Sequence, residues 1–546
     1  MKFHRFILIT LALAAMNIAA SFLVCRWDMT GDKRYTLSPA VKQLVRQLDA
    51  PLTVEIMLTG DLNAGFNRLR QSTEDMVEEL HNVNRHILVN NSVGKNDAIN
   101  PNDVKGLTPT IIHERQKDGK SVQTTVYPYA RLSYKGRSMV VDLLENRRGL
   151  SGEENLNHSI ENLEYTFAEA IHSLMKTEVE RIAFLEGHGE LNEREVYDLS
   201  LALSKYFQVD RGVIGTEDGV LDDYKAIIVA DPKKPFSDTD KYIIDQYIMR
   251  GGRVLWLLDG VQFSDEMLSD DGYTPIIPLD IHLNDMLFRY GVRVNPILVQ
   301  DLQCQMIPME ISAQGQRSGN YQPVPWTYAP LLLTSEVSPI THGVMQVSAM
   351  FASCLDMVGG EDGIRKEVLL ATSSASRLTS APAKVDLMDR DMSQERFDEA
   401  FVPVAVSLEG QFNSIFAHRL RPDGLRTTAS ILRQSEQVTR QIVVAAGSIA
   451  RGEWQQGQPL PLGYDRYTNT QFGNRDFLVN AVLYLTDDAG LIALRQKSFA
   501  LRLINDQRAH ALRIRVQWIS ILLPLLLLAL TGGVVYGVRR KKYCVR

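Results

Sequence analysis

The sequence predicts an α/β protein: a mostly parallel sheet with helices on both faces, a smaller N-terminal α/β domain, and two flanking transmembrane helices. Three observations predict it. Short continuous apolar runs (Arg181 to Glu186, Ala226 to Ala230, Arg253 to Leu258) alternate with helical stretches (Glu193 to Tyr206, Asp238 to Arg250), the pattern of buried parallel strands joined by helical crossovers. Residues 50–146 alternate strand and helix on a smaller scale. Uncharged apolar runs lie near both ends of the 546 residues.

Phe6 to Val24 is 19 residues without a charge and Trp518 to Val538 is 21. At about 1.5 Å per residue each reaches about 28 Å or more, the thickness of a bilayer core. Phe22, Leu23 and Val24 carry the first run past the small residues Ala19 to Ser21, which fits an uncleaved anchor better than a signal peptide. Lys2, His4 and Arg5 precede the first run, and Arg539, Arg540, Lys541, Lys542 and Arg546 follow the second. Positive flanks face the cytoplasm. The expected protein is therefore two-pass in the inner membrane, with cytoplasmic termini and a large periplasmic part. The expected division is 1–5 tail, 6–24 span, 25–150 N-terminal α/β domain, 151–485 central α/β domain with insertions, 486–517 basic connector, 518–538 span and 539–546 tail.

Composition excludes several classes. A chain 45% hydrophobic and 23% charged is not disordered, and a net charge of −6 gives no reason to expect nucleic-acid binding. A mean hydropathy of −0.13 excludes a multi-span permease. The four cysteines form no CxxC, so no thiol redox motif or zinc knuckle is offered. Cys304 and Cys354 could be bridged or free.

Along the chain, Ser38 and Pro39 read as N-cap and first residue of a helix to Leu48. Leu52 to Leu58 reads as a strand, Phe66 to Arg85 as an amphipathic helix and His86 to Asn91 as a strand. Ser121 to Tyr127, Ala130 to Tyr134 and Ser138 to Leu143 read as strands, the last two joined by a turn at Lys135-Gly136-Arg137. Asn157 to Met175 has apolar residues three or four apart, as a packed helix requires. Leu279 to Tyr290 looks helical and Val292 to Val299 extended. Pro323 to Pro330, with Trp326 and Tyr328, reads as a loop, either a partner surface or packed on the core. Thr379 to Glu399 reads as a long loop, Gln441 to Ala446 as a buried strand and Asp476 to Leu485 as a helix.

No GxxxxGK[ST] loop, GxSxG elbow, HExxH or strand-borne GxGxxG occurs. The sharpest local feature is Glu186, Gly187, His188, Gly189 and Glu190. It follows a strand, at the sheet edge where doubly wound proteins bind ligands. Two carboxylates beside a histidine can bind a metal or move a proton. Equally, the glycines can make a turn whose polar residues bond locally. Asp231, followed by Lys233 and Lys234, and Asp259 end the next two strands on the same edge. The candidate ligand-binding residues are therefore Glu186, His188, Glu190, Asp231 and Asp259. No catalytic residue, metal or cofactor is assigned.

Several stretches together resemble the GldG-type gliding-motility-associated ABC transporter auxiliary proteins of Bacteroidetes. They are Asp32 to Ser38 (DKRYTLS), Thr59 to Leu62 (TGDL), Phe66 to Arg70 (FNRLR), Phe184 to Glu190 (FLEGHGE), Asp231 to Phe236 (DPKKPF), Gly473 to Leu485 (GNRDFLVNAVLYL) and Leu494 to Lys497 (LRQK). The likeness spans nearly the whole chain and is weakest over 260–440. It implies a non-enzymatic subunit of an ABC transporter, with permease and ATPase subunits as partners and a link to gliding motility or envelope transport. The central sheet also looks flavodoxin-like or amidotransferase-like. No Cys stands at the position of the amidotransferase nucleophile, so that activity is not expected. The alternatives are a membrane-anchored hydrolase using Glu186, His188 and Glu190, and a periplasmic glycan- or peptide-binding sensor.

Overall fold

The computed structural model describes residues 36–60, 62–89, 107–115, 121–144, 151–176, 179–310, 321–359, 363–389, 392–427, 429–496 and 506–543. The chain divides into two compact units, Met1–Lys497 and Ser498–Arg546.

In the first unit, helix α1 (Pro39–Arg46) starts where Ser38 caps it, its hydroxyl accepting from Val41 N. Strands β1 (Leu52–Ile56), β2 (Ile87–Val89), β5 (Tyr129–Tyr134) and β6 (Arg137–Asp142) form a sheet in the order β2-β1-β5-β6. A separate hairpin pairs β3 (Thr110–Arg115) with β4 (Ser121–Val126). Lys135 and Gly136 both take positive φ in the β5–β6 turn, as a two-residue hairpin of primed type requires. Helix α2 (Ala64–Val83) packs on this sheet, as does α3 (Gly152–Met175), opened by a capping box between Ser151 and Glu154. Leu52, Val54 and Leu132 meet Leu69, Val77, Phe167 and Ile171 in one core.

The central sheet begins with β7 (Arg181–Glu186), β8 (Gln208–Val213), β9 (Ala226–Ala230) and β10 (Val254–Leu257). Two three-stranded sheets follow. One holds β11 (Val261–Gln262), β12 (Tyr273–Pro278) and β20 (Ala383–Asp386); the other holds β13 (Val292–Asp301), β17 (Ser353–Met357) and β19 (Ser376–Ser380). The central sheet continues with β14 (Cys304–Glu310), β15 (Tyr321–Thr334), β16 (Val347–Ser348), β18 (Arg365–Ala371), β21 (Pro403–Gly410) and β22 (Thr439–Val444). Its path is β14-β15-β18-β21-β22-β10-β9-β7-β8, with β16 beside β15.

Strands β22, β10, β9, β7 and β8 run parallel, and their apolar residues feed two cores. On one face Ile182, Ile228 and Leu255 meet α4 (Tyr197–Leu203) and α8 (Asn474–Thr486). On the other, Leu185, Val229 and Trp256 meet α5 (Asp238–Met249) and α7 (Asn284–Tyr290). The short helix α6 (Asp265–Asp271) lies beyond β11.

This corrects the expected flavodoxin-like, mostly parallel sheet flanked by two membrane helices. The sheet is mixed and the protein rich in strand: β21 is antiparallel to β22, β18 to β21, β15 to β18 and β14 to β15. Pro323 to Pro330, expected as a loop, lies within β15. Beyond the β14 ladder, β16 and β18 meet β15 from Leu331 to Thr334, so Pro323 and Pro325 lie where the strand has one ladder partner, and such a position tolerates proline, which lacks the N–H of the ladder. Trp326 and Tyr328 are buried beside Phe351. The expected loop over Thr379 to Glu399 contains β20.

In the second unit, helix α9 (Asp506–Tyr543) contains Gln517–Lys541, 25 residues of mean hydropathy 2.3. Among the described residues it is the one helix long and apolar enough to cross a membrane. The run Phe6 to Val24 lies outside the described residues.

Candidate functional site

The carboxyl ends of β7, β9, β10 and β22 lie side by side, and the loops leaving them carry most of the candidate residues. Gly187 and Gly189 take φ of +118° and +76°, so the chain turns back after β7 in a conformation L side chains resist. The His188 carbonyl then accepts from Lys233 N at 2.8 Å and Lys234 N at 2.7 Å, knitting the β7 loop to the β9 loop.

His188 is buried and fully engaged. Nδ1 lies 3.2 Å from Glu190 Oε1, and Nε2 lies 3.2 Å from Asp240 Oδ2. Its ring stacks on Phe236 at 3.7 Å and 10°. Glu190 Oε2 also accepts from His188 N at 2.7 Å. Asp240 belongs to the capping box that opens α5 with Ser237. Burial alone would lower the histidine pKa, but the bonds to Asp240 and Glu190 outweigh it and hold it up at about 9.

A raised pKa makes folding favour the protonated ring. This stabilisation is full below pH 6.5 and is lost as pH rises through about 9. His188→Gln is expected to remove about 1–2 kcal/mol of stability at neutral pH, a figure reduced for solvent screening. It should flatten the decline between those pH values, read by urea unfolding across the range. An unchanged pH profile would show that the ring is not charged in the fold.

Asp231 and Asp259 form a second cluster. Asp231 takes φ of +58°, which turns its side chain back over the strand ends. Lys233 Nζ donates to Asp231 Oδ1 at 2.6 Å and Asp259 Oδ2 at 2.7 Å. Asp259 Oδ1 accepts from Gly447 N at 2.7 Å. A Cβ on Gly447 would lie 2.2 Å from Asp231 Oδ1, so only glycine lets the β22 loop approach. Arg451 Nη2 reaches Asp231 Oδ2 at 3.2 Å, and the same guanidinium meets Asp265 at 3.2 Å and Glu195 at 3.7 Å. The carboxylates of Asp231 and Asp259 are 1% and 2% exposed, whereas Lys233 and Arg451 are each 34% exposed. Burial and the neighbouring Asp259 push the Asp231 pKa well above the usual carboxylate range, against the pull of Lys233.

The structure thus pairs His188 with Glu190 and Asp231 with Asp259, and joins the pairs through Lys233. Glu186 is turned away. It bonds Arg211 Nε on β8 at 2.8 Å, and Arg211 also donates to Leu191 O at 2.9 Å. Sequence reasoning missed Asp240, Arg451 and Gly447. The spacing of Ser237 and Asp240 is a readable capping box; nothing in the sequence links Arg451 to Asp231 across 220 positions. Cys304 and Cys354 are free. Among the described residues no group of three or more His, Cys, Asp or Glu could hold a metal ion. Chemically, the edge is a set of ion pairs in which every carboxylate oxygen of Asp231 and Asp259 is bonded, with Lys233 and Arg451 each one-third exposed.

The GNRDF stretch is also explained by geometry. Asn474 accepts from Ser348 N at 3.0 Å and donates to Ser348 O at 2.8 Å and Ile449 O at 3.2 Å. One buried amide thus braces β16, the segment after β22 and the start of α8.

Comparison with solved structures finds the "mmIFT52 N-terminal domain" at 14% identity and TM-score 0.32, covering 57% of this chain and 99% of that one. It also finds a putative ThuA-like protein from Parabacteroides merdae at 10% identity and TM-score 0.27, covering 57% and 91%. No curated protein matches. The model of a domain of unknown function, DUF7088, matches residues 31–133. The family described as "ABC-type uncharacterized transport system" matches residues 180–481, more than half of the chain and the whole of its mixed central sheet. The chain therefore belongs to this auxiliary family of ABC-type transport systems, and membrane association follows from that membership.

Proposed function

We propose that this protein is a non-enzymatic accessory subunit of an ABC transporter, working beside a permease and an ATPase in envelope transport, gliding motility included. The family match over residues 180–481 carries the reading. The apolar helix Gln517–Lys541 supports an anchor in the inner membrane. The cations from Arg539 onward favour a cytoplasmic C-terminus, with the compact body on the periplasmic side. One end fixed in the bilayer raises the effective concentration of the body near a membrane partner. The candidate residues Glu186, His188, Glu190, Asp231 and Asp259 are read as the frame of a contact surface, because the polar atoms of His188, Glu190, Asp231 and Asp259 are spent on one another and on Asp240, Lys233, Arg451 and Gly447, while Glu186 pairs with Arg211. That saturation disfavours the hydrolase alternative.

Truncation after Lys497 tests the reading. The body is expected to stay folded, leave the membrane fraction and fail to support transport-linked function in the host. Full function from the released body would refute it.

A further inference from the structure

The chain crosses between the N-terminal α/β domain and the central sheet between Met175 and Arg181, and again where α8 ends. Helix α8 belongs to the central core through Phe477, Leu478, Ala481 and Leu485. Asp487 then makes a turn: Oδ1 accepts from Ala489 N at 3.0 Å and Oδ2 from Ile492 N at 2.8 Å. Its carbonyl accepts from Arg440 Nη1 of β22 at 2.8 Å. Asp488 pairs with Lys225 and Arg253, just before β9 and β10. The root of the turn is thus fixed on the central sheet, while its tip lies in the other domain. The short 3-10 helix Leu491–Gln496 places Leu491 in the core that holds Phe167 and Ile171 of α3, and Leu494 packs against that core. Among the described helices and strands, this 3-10 helix makes with α3 the largest contact between the two domains. Beside it the seam is unfilled: a cleft of about 70 Å³ is lined by His172 and Ser173 of α3, Thr486 and Asp487 at the end of α8, and Ile492. A void forfeits the dispersion contacts of its lining, so the two leucines hold the seam more than the polar face of α3 does. The same segment runs on to α9, which contains the apolar stretch Gln517–Lys541.

We propose that Leu491–Gln496 is a clasp between the two domains, and that its opening frees the N-terminal domain to turn about the crossing between Met175 and Arg181. The clasp is drawn from the segment that leads to the apolar helix, so a displacement of that helix reaches the clasp before it reaches either core. Opening costs the burial of Leu491 and Leu494 and leaves the strands of both domains paired, as a local event in a folded protein does. The clasp rests on the compact body alone, and stands or falls apart from the reading as a transporter subunit.

Thiol-labelling rates of the full chain in detergent test it, read site by site by peptide mass so that the native cysteines are counted apart. Ser173→Cys reports on the seam, Val77→Cys on the N-terminal core and Val229→Cys on the central sheet. Leu491→Ala combined with Leu494→Ala is expected to speed labelling at the Ser173 site by about tenfold or more, because the closed state loses both leucine side chains. The Val77 and Val229 sites should stay as slow as before. Asp487→Ala unties the root of the turn without touching the N-terminal core, and should speed the Ser173 site as well. An unchanged rate there in the leucine variant, or in Asp487→Ala should the leucine variant not fold, overturns the proposal, because the seam then closes without the turn. Equal acceleration at the Val77 site also overturns it, because the turn is then a part of the N-terminal core and opens only with it.

Discussion

Lys233→Met is expected to destabilise the central sheet by about 3–5 kcal/mol, the usual cost of stranding a buried charge. Methionine keeps most of the stem's volume, so little of the loss is packing. What goes is the cation that both Asp231 and Asp259 share. Two adjacent carboxylates then remain in a site almost closed to water. The effect has a pH signature. The Asp231 pKa is already raised by burial and by Asp259, against Lys233, and removal of the lysine raises it further. A raised carboxyl pKa means that folding favours the protonated acid. The cost is therefore full above the raised pKa and is relieved as pH falls towards the unfolded value. Urea unfolding of both proteins in alkaline and mildly acidic buffers checks this: the gap should shrink on acidification. A gap independent of pH would mean that the stem, and not the charge, matters.

Asp245→Ala should cost about 3 kcal/mol or more by a different route. Asp245 is fully buried in α5 with no cation among its hydrogen-bond partners. Oδ1 accepts from Tyr290 OH at 2.8 Å and Ile415 N at 3.0 Å; Oδ2 accepts from Ser414 Oγ at 2.6 Å and Gln246 Nε2 at 2.9 Å. Alanine leaves four donors unmet, and a buried unmet donor costs about 1–3 kcal/mol before relaxation. These bonds tie the segment after β21 to α5 and α7. Amide exchange in residues 412–435 should therefore accelerate before the rest of the sheet opens. A loss below about 1 kcal/mol would show that these donors find new partners cheaply.

What was legible in the sequence follows from how locally each feature is encoded. Ala226 to Ala230 is apolar at every position because both faces of β9 are covered, and such a run announces itself. Ser38, Ser151 and Ser237 mark helix starts by chemistry that acts over three residues. Strand β15 was hidden because Pro323, Pro325 and Pro330 signal a loop, and the ladder with β14 that makes the segment a strand lies in no local pattern. The antiparallel half of the sheet was hidden because strand direction depends on pairings such as Ala405 with Val444, which no local pattern contains. The same division runs through the candidate site. His188 and Glu190 meet within one loop. Asp231 and Asp259 meet because β9 and β10 are neighbours, as the alternating pattern suggested. Arg451 arrives from the segment after β22, 220 positions on in sequence though β22 lies beside β10, and Glu186 turns to the edge strand because Arg211 lies beside it there.

Purification of the full chain from native membranes in mild detergent tests the central claim most directly. The account predicts that a permease and a nucleotide-hydrolysing subunit elute with it in a fixed ratio that survives a second sizing step, and that both are lost on removal of Gln517–Lys541. A chain that elutes alone, under conditions in which permease and ATPase remain joined to each other, would contradict it.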